Sequence, residues 1–474
     1  MLSLAGERPL KGRILMLKNG LAKMTGAIKK AVGMGIYHSP PTVIALTYLA
    51  ASLIGGILLA LPAAAESGKP TPFLDSFFTA VSATCITGFV LYDTAPYWST
   101  FGEIVILILM QLGGLGFITF ATFFLSLAGR KAGLKNMKLA QESLNSLSIH
   151  DIIPLVRQIL VMIFIVELAG AFLLSIAFVP RFGLAGLYYG IFHSVSAFCN
   201  AGFDLMGNNF ASMADFSGNP LVLYTISVLV IIGGFGFMVW RDFMDFRKEK
   251  KLTAHTRMVL ILSAILLLVA ALFIFLSEEN GVLAGMTLGE KINASIFLSV
   301  NARSAGFSTI DTGSLNDLSK AFIALMMFIG GASGSAAGGV KVNTLGIMLA
   351  AIICVIRGKD ETILFKRRIP NRTVLKAFSI AFLALILVFV VTLVFHVLKP
   401  DATVIDAFFD SVSAFGTVGL TTGVASNLTG IGKILVILCM FTGRIGPISF
   451  ALALTPGVKH SDHTVYPEGK FIVG

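Results

Sequence analysis

Long apolar runs, separated by short segments rich in polar and basic residues, extend along most of the chain. A hydrocarbon core of ~30 Å is crossed by a helix of about 20 apolar residues, so runs of that length predict membrane-spanning helices. Within each successive pair of long runs lies an apolar stretch of only about 12 residues, which is too short to span and suits a re-entrant helix. The long runs cover about 42–62, 103–128, 155–179, 221–240, 257–277, 321–356, 374–398 and 431–454.

The four short stretches end in copies of one motif, which reveals an internal repeat. The copies are FFTAVSATCITGFV (77–90), IFHSVSAFCNAGFD (191–204), IFLSVNARSAGFS (296–308) and FFDSVSAFGTVGLT (408–421). Each has a valine followed by a short turn that ends in glycine, and the third copy is one residue shorter between the two. We therefore predict four units of helix, re-entrant loop and helix at 41–129, 152–240, 257–356 and 373–456, with an arm at 1–40 and a tail at 457–474.

Composition agrees with this pattern and excludes several classes of protein. Of the 474 residues, 56% are hydrophobic and 13% are charged, against roughly 25% charged residues in a soluble globular protein. The mean hydropathy of +0.87 is that of a multi-pass membrane protein rather than of a soluble enzyme or a disordered chain. The predicted fold is an all-α membrane protein of eight spans, with four re-entrant loops around one pseudo-fourfold pore.

The net charge of +11 is concentrated in short stretches that precede apolar runs. Of the 36 Lys and Arg residues, 24 lie in the N-terminal arm or within 130–157, 241–257 and 357–372. Such a bias marks cytoplasmic segments, so we predict that both termini lie in the cytoplasm and that the re-entrant turns open on the opposite side of the cell membrane. A nucleic-acid partner is then unnecessary. The arm suits either an amphipathic helix on membrane lipid or a solvated tail.

Enzyme and metal motifs are missing from the sequence. The four cysteines have no CxxC or His/Cys spacing, so we interpret them as buried thiols rather than as zinc ligands or a disulfide framework. Paired carboxylates and His clusters do not occur inside the spans, and His193 alone suggests a hydrogen-bonding residue of a short helix. No phosphate-binding or dinucleotide-binding glycine motif is present, so we predict no nucleotide bound by this chain.

The four turns predict a cation filter. Non-helical backbone at membrane depth persists where it lines a wet cavity, and rings of backbone carbonyls replace the hydration shell of a permeating ion. A single glycine would be equally consistent with helix packing, but four glycines at the equivalent position of each repeat favour a ring. The predicted K⁺ ligands are Ile86, Thr87, Gly88, Asn200, Ala201, Gly202, Ser304, Ala305, Gly306, Thr417, Val418 and Gly419.

A second set of residues predicts a gate just inside the filter. The run GGASGSAAGG at 330–339 is too flexible for a continuous helix, and an Arg inside a span is costly unless it faces a cavity. An alternative is that Arg444 is ion-paired for packing, for example with Glu167, while Arg303 braces the filter with Asp410 as its partner. The predicted gate residues are Gly330, Gly331, Gly334, Gly338, Gly339, Lys341 and Arg444.

The motifs SAFCNAGFD, SVNARSAGFSTID, MQLGGLGF, GGASGSAAGGVK and SAFGTVGLTTG resemble the Trk/Ktr/HKT superfamily of potassium transporters over about 41–456, most of all its Ktr-type membrane subunits. The resemblance implies K⁺ uptake by a homodimer with one pore per subunit, regulated by a cytosolic ring of nucleotide-binding RCK subunits like KtrA or TrkA. It also implies the roles given above for the filter glycines, the glycine run and Arg444. Gly88 stands where a Ser marks Na⁺ permeation in plant relatives.

Two functions remain open from the sequence. The first is a channel-like K⁺ pore, and the second is a secondary active carrier coupled to Na⁺ or H⁺, with broken helices and a midplane site. Carriers of that kind usually have two inverted halves, whereas the four units here repeat in parallel. The sequence does not settle whether Na⁺ acts as an activator.

Overall fold

The computed structural model describes residues 40–116, 152–207 and 213–454. The predicted arm, the C-terminal tail and the basic residues at 130–138 lie outside these ranges. Helices of eight or more residues are Pro40–Leu59 (α1), Phe73–Thr84 (α2), Thr100–Leu115 (α3), Ile152–Phe182 (α4), Ala185–Phe198 (α5), Pro220–Gly234 (α6), Phe237–Glu249 (α7), Ala254–Ser277 (α8), Leu288–Asn301 (α9), Asp317–Phe328 (α10), Val342–Ile356 (α11), Asn371–Leu398 (α12), Val404–Gly416 (α13), Gly430–Ile445 (α14) and Pro447–Leu454 (α15).

Strand structure in the described residues consists of one small hairpin, which the all-α prediction did not include. The strands are Ile363–Leu364 (β1) and Arg367–Arg368 (β2), and they pair antiparallel. The hairpin lies in the basic segment between α11 and α12. Phe365 and Lys366 between its strands adopt positive φ values of 47° and 62°, as a tight two-residue turn requires.

The first helix of each repeat is long and unbroken. In the described residues, α1, α4, α8 and α12 are the helices that are long and apolar enough to cross a membrane on their own, and α6 with α7 makes a fifth if that bent pair is counted as one span. Apolar side chains face outward along these helices, for instance Leu168 and Phe172 on α4 and Phe382 on α12. Such outward apolar faces suit lipid contact.

The second helix is broken in the second, third and fourth repeats, and in the second and fourth of these the sequence predicts continuous runs. The helix α3 ends at Gly116, α6 and α7 meet at Gly236 with a bend of 94°, and α14 and α15 meet at Gly446. These three glycines have φ values of 80°, 81° and 93°, which break the helix without the steric cost of a Cβ. In the third repeat a loop at 329–341 separates α10 from α11, which confirms the predicted interruption there. The eight-span count stays a prediction.

Short helices pack against the second helix of the preceding repeat, with a polar pair at each junction. The partners are Tyr188 and Glu103 (3.0 Å), Tyr224 and Asn293 (2.7 Å), Lys320 and Asp406 (2.8 Å), and Lys433 and Asp75 (2.5 Å). The last pair joins the fourth repeat to the first, so the contacts close a circle. One large buried cluster lies mainly in the first two repeats and another mainly in the last two. This arrangement brings the ends of α2, α5, α9 and α13 together.

Candidate functional site

The four short helices end in the same backbone conformation. Within three residues of the end of each helix, a residue other than glycine takes a left-handed φ, and the glycine two positions later does the same. The first set is Ile86 (54°), Asn200 (56°), Ser304 (75°) and Thr417 (48°), and the second set is Gly88 (83°), Gly202 (72°), Gly306 (78°) and Gly419 (92°). The three residues of each turn therefore run in the same way in all four repeats. We call the segments 86–88, 200–202, 304–306 and 417–419 together the backbone ring.

In each ring segment, the middle residue is anchored to the end of the short helix by its amide group. The amide groups of Thr87, Ala201 and Val418 each donate to the carbonyl oxygen five residues earlier, at 2.8 to 2.9 Å. In the third repeat the amide of Ala305 instead donates to the carbonyl four residues earlier, at 3.0 Å. The third motif is one residue shorter, and this tighter hydrogen-bonded turn compensates for the difference. The third ring segment therefore keeps the same backbone geometry as the others.

Each ring glycine lies against a carbonyl group of the next repeat. A Cβ placed on Gly88, Gly202, Gly306 or Gly419 would lie 2.6, 2.5, 2.3 or 2.3 Å from the carbonyl oxygen of Ala201, Ala305, Val418 or Thr87, respectively. The first repeat contacts the second, the second the third, the third the fourth, and the fourth the first. The structure therefore brings all twelve predicted filter residues together in one closed ring.

A small cavity of about 30 Å³ opens on one side of the ring. Its lining includes the four ring glycines together with Asp93, Asp204 and Ser308. Burial raises the pKa of Asp204 to about 7, with a further contribution from the charge of Asp93, whose own pKa is also raised by burial. The sequence did not single out these two carboxylates as site residues, because only the fold brings them to the ring.

On the other side of the ring lies the 329–341 loop. Its two ends are joined by hydrogen bonds from Gly330 N to Val340 O (2.9 Å) and from Val342 N to Gly331 O (3.0 Å). Its middle is bound to the second repeat, where Ala332 N donates to Gly234 O at 2.9 Å. A Cβ on Gly338 would lie 2.1 Å from the Thr417 Oγ1, so the loop packs directly against the ring. The predicted gate glycines all belong to this segment.

Two cations hold the loop by its carbonyl groups. Arg444 on α14 donates to the carbonyl oxygens of Ala336 and Gly113, the latter at 2.5 Å. Its Nε donates to the Tyr48 hydroxyl at 3.2 Å. Lys341 donates to the carbonyl oxygen of Ala337. Backbone carbonyl groups therefore stabilise the positive charge of Arg444, which forms no ion pair in the described residues.

The partners suggested from sequence for the buried charges are different in the structure. Glu167 accepts both its hydrogen bonds from the Gln111 amide, each at 3.1 Å, instead of pairing with Arg444. Arg303 donates to Gly330 O and to the Ser263 hydroxyl, both at 3.3 Å, so it braces the 329–341 loop rather than the ring. Asp410 does not contact Arg303 and instead fixes the segment that follows the ring.

A second cavity, of about 230 Å³, lies beyond the loop. Among the described residues that line it are Lys341, Lys376 and Arg444, together with the Tyr48 ring and the Ser335 hydroxyl. This cavity is positively lined, whereas the cavity on the other side of the ring has two carboxylates. The first cavity is lined by the ring glycines and the second by residues of the loop, so the ring and the loop lie between them.

The remaining candidates have structural roles. His193 is fully buried in α5, where its Nδ1 donates to Tyr189 O (2.7 Å) and its Nε2 accepts from Leu205 N (3.3 Å), as the sequence suggested. All four cysteines are buried and free, which confirms their interpretation as buried thiols. In the described part of the chain, no group of three or more His, Cys, Asp or Glu side chains is placed to hold a metal ion.

Apolar helices that surround a closed ring of backbone loops define a multi-pass helical membrane protein. A family model described as "TrkH: Cation transport protein" matches residues 40–460. This match covers most of the chain, so the chain belongs to the TrkH family of cation transport proteins. The resemblance found in the sequence motifs is thereby confirmed.

Individual relatives and one solved structure agree with this assignment. The chain is 38% identical over 442 residues to the Ktr system potassium uptake protein B of Bacillus subtilis, covering 93% of this chain and 98% of the relative. It is 37% identical over 442 residues to the potassium/sodium uptake protein NtpJ of Enterococcus hirae, covering 92% and 97%. The crystal structure of the potassium transporter TrkH from Vibrio parahaemolyticus has the same fold, with a TM-score of 0.68 at 18% identity over 89% of this chain and 86% of that chain.

Proposed function

We propose that this protein takes up K⁺ across the cell membrane through a gated, channel-like pore. The observation that carries the proposal is the closed ring, in which each of four repeats presents a carbonyl group toward the glycine of its neighbour. The two relatives at 38% and 37% identity are named as a potassium uptake protein and a potassium/sodium uptake protein, and the ion common to both names supports K⁺. Each repeat then contributes one quarter of the pore.

The ring acts as the filter. Carbonyl oxygens of the ring residues replace water around a dehydrated cation, and the four short helices direct the negative ends of their dipoles toward the same place. Asp93 and Asp204 add negative charge at the mouth and raise the local cation concentration. Gly88 completes a filter with glycine in all four repeats, which supports K⁺ rather than Na⁺ as the preferred ion.

The 329–341 loop and Arg444 act as the gate. The loop lies directly against the inner side of the ring, where it obstructs the path to the second cavity. Arg444 holds the loop in place and also keeps a positive charge beside the path, which opposes the passage of a cation. A loop of this composition has alternative conformations at small cost, so a partner with differential affinity for them shifts its population.

The protein works with further partners. Its similarity to Ktr system membrane proteins supports a homodimer of pores under the control of a separate cytosolic, nucleotide-binding regulatory ring of the RCK type. The basic segments between repeats, such as 357–372, form its docking surface on the cytoplasmic side, which also holds both termini. Na⁺ as an activator belongs to the same proposal and is tested by adding it to the K⁺ flux assay.

Flux measurements in proteoliposomes test the function. The purified protein is expected to conduct K⁺ and Rb⁺ down their gradients with no Na⁺ or H⁺ gradient present, and Gly88→Ser or Gly419→Ser is expected to lower the ratio of K⁺ to Na⁺ flux. Transport that requires a Na⁺ or H⁺ gradient would instead establish the coupled carrier. Unchanged flux ratios in both glycine variants would refute the filter assignment.

A further inference from the structure

The hydroxyl group of Ser304 lies between the backbone ring and the 329–341 loop. Ser304 is fully buried and is the left-handed residue of the third ring segment. Its Oγ donates to the carbonyl oxygen of Thr417 at 2.9 Å and accepts from the amide of Gly338 at 3.0 Å. One hydroxyl thus binds the ring segment of the fourth repeat and the backbone of the loop at the same time.

Close packing makes this connection specific to one geometry. A Cβ on Gly338 would lie 2.1 Å from the Thr417 Oγ1, and a Cβ on Gly339 would lie 3.2 Å from the Gly416 Cα. The loop therefore packs against both the fourth ring segment and the last residue of α13. If the loop moves away, the hydrogen bond between the Gly338 amide and the Ser304 hydroxyl breaks. Because both groups are buried, leaving them without a partner is unfavourable.

The neighbouring side chain reaches the other end of the loop. Arg303 donates to the carbonyl oxygen of Gly330, where the loop begins, at 3.3 Å, while Ser304 holds Gly338 near its end. Two successive residues of the third repeat thus fasten both ends of the loop. Movement of the loop must therefore change the surroundings of the third ring segment.

The first and second repeats do not share this device, and in the fourth repeat the equivalent residue is Thr417, whose Oγ1 lies 3.2 Å from the Ser304 Oγ. At the position equivalent to Ser304, the first repeat has Ile86, whose side chain forms no hydrogen bonds. The second repeat has Asn200, whose side-chain amide has no hydrogen-bond partner among the described residues. The connection between ring and loop is thus confined to the half of the ring formed by the third and fourth repeats.

We infer that the Ser304 hydroxyl is a positioning group that couples the loop to the ring, so that release of the loop also loosens the third and fourth ring segments. The inference rests on the proposed function of ring and loop as filter and gate. Coupling of this kind is reciprocal: ion occupancy of the ring stabilises one position of the loop. Selectivity therefore depends on the state of the gate.

A double-mutant cycle tests the coupling. In proteoliposomes, Ser304→Ala is expected to raise basal Rb⁺ flux about fivefold, which is the ~1 kcal/mol of one hydrogen bond converted at 1.4 kcal/mol per tenfold. Deletion of residues 334–339 removes Gly338, so in that background Ser304→Ala is expected to change flux by less than about twofold. Ser304→Thr is the conservative variant, because it keeps the hydroxyl at a ring position where the equivalent residue is Thr417, and its basal flux is expected to lie closer to that of the parent than the flux of Ser304→Ala.

Ser295→Ala is the matched control, because its hydroxyl bonds only within α9, to Lys291 O at 2.8 Å. If Ser304→Ala does not fold, Ser304→Gly removes the same hydroxyl and suits the φ of 75°. An equal fold-change in both backgrounds, or none in the parent, overturns the coupling while leaving the proposed function in place. A parent protein that conducts no more than protein-free vesicles overturns both.

Discussion

Replacement of Arg444 by alanine tests the gate most directly. Arg444 bonds to Gly113 and Tyr48 on one side and to Ala336 of the loop on the other. Only the bond to Ala336 must break when the loop moves. A hydrogen bond from a charged donor contributes about 1.5 to 3 kcal/mol, so its loss shifts the closed-to-open equilibrium by roughly 10- to 100-fold.

Loss of the charge acts in the same direction. A cation that passes about 4 to 8 Å from a fixed positive charge meets a barrier of about 2 to 4 kcal/mol at an effective dielectric constant of about 20. Arg444→Ala removes both this barrier and the hydrogen bond to the loop, whereas Arg444→Lys keeps the charge and loses the planar donor geometry. We therefore expect the largest rise in basal Rb⁺ flux for alanine and a smaller one for lysine.

Two controls separate gating from misfolding. Arg181→Ala removes an arginine whose ion pair with Asp215 is exposed to solvent, and it is expected to leave flux unchanged because exposed pairs contribute little. Size-exclusion profiles and thermal unfolding show whether the Arg444 variants are folded. If Arg444→Ala is folded and conducts no faster than the parent, Arg444 is a packing residue and the gate lies elsewhere.

Two further predictions concern the ring and its outer mouth. Gly306→Ala places a Cβ against a carbonyl of the next repeat and is expected to abolish or strongly reduce K⁺ flux. The control is Gly285→Ala, which has a similar φ but no described atom within 4 Å of the added Cβ. It imposes only the backbone strain and is expected to conduct nearly normally. Uptake is expected to fall as the external pH decreases through about 7, because protonation of Asp204 removes negative charge from the mouth, and Asp204→Asn is expected to flatten that step in a pH series of Rb⁺ uptake.

Much of the architecture was predictable because the same sequence pattern recurs in four repeats. The apolar run, the short helix and the terminal glycine recur in each repeat, so an error in one copy is corrected by the other three. The breaks at Gly236 and Gly446 were harder to predict, because the apolar run continues past both glycines and does not end at either of them. The features that mark these breaks in the sequence are local. Gly236 lies between two phenylalanines, and Gly446 is followed by Pro447, which suits the first turn of a new helix.

The partners of the buried charges were not predictable in the same way. Sequence reasoning searches for carboxylates to neutralise an arginine and therefore suggested Glu167 for Arg444 and Asp410 for Arg303. The structure supplies the backbone carbonyls of Gly113, Ala336 and Gly330 instead. A carbonyl group is present at every residue, so no residue type marks the ones that will face a guanidinium, and only the fold selects them.

The ring also shows why its glycines are glycines. A positive φ alone does not require glycine here, because Ile86 and Thr417 adopt φ values of 54° and 48° within the same ring, at a steric cost of roughly 1 to 2 kcal/mol each. The glycines differ in what lies beside them, since a Cβ at any of the four would approach a neighbouring carbonyl oxygen to 2.6 Å or less. Close approach between repeats, rather than conformational freedom, therefore fixes these four positions. A side chain at one of them acts on two repeats at once, because it displaces the carbonyl group of the neighbouring repeat.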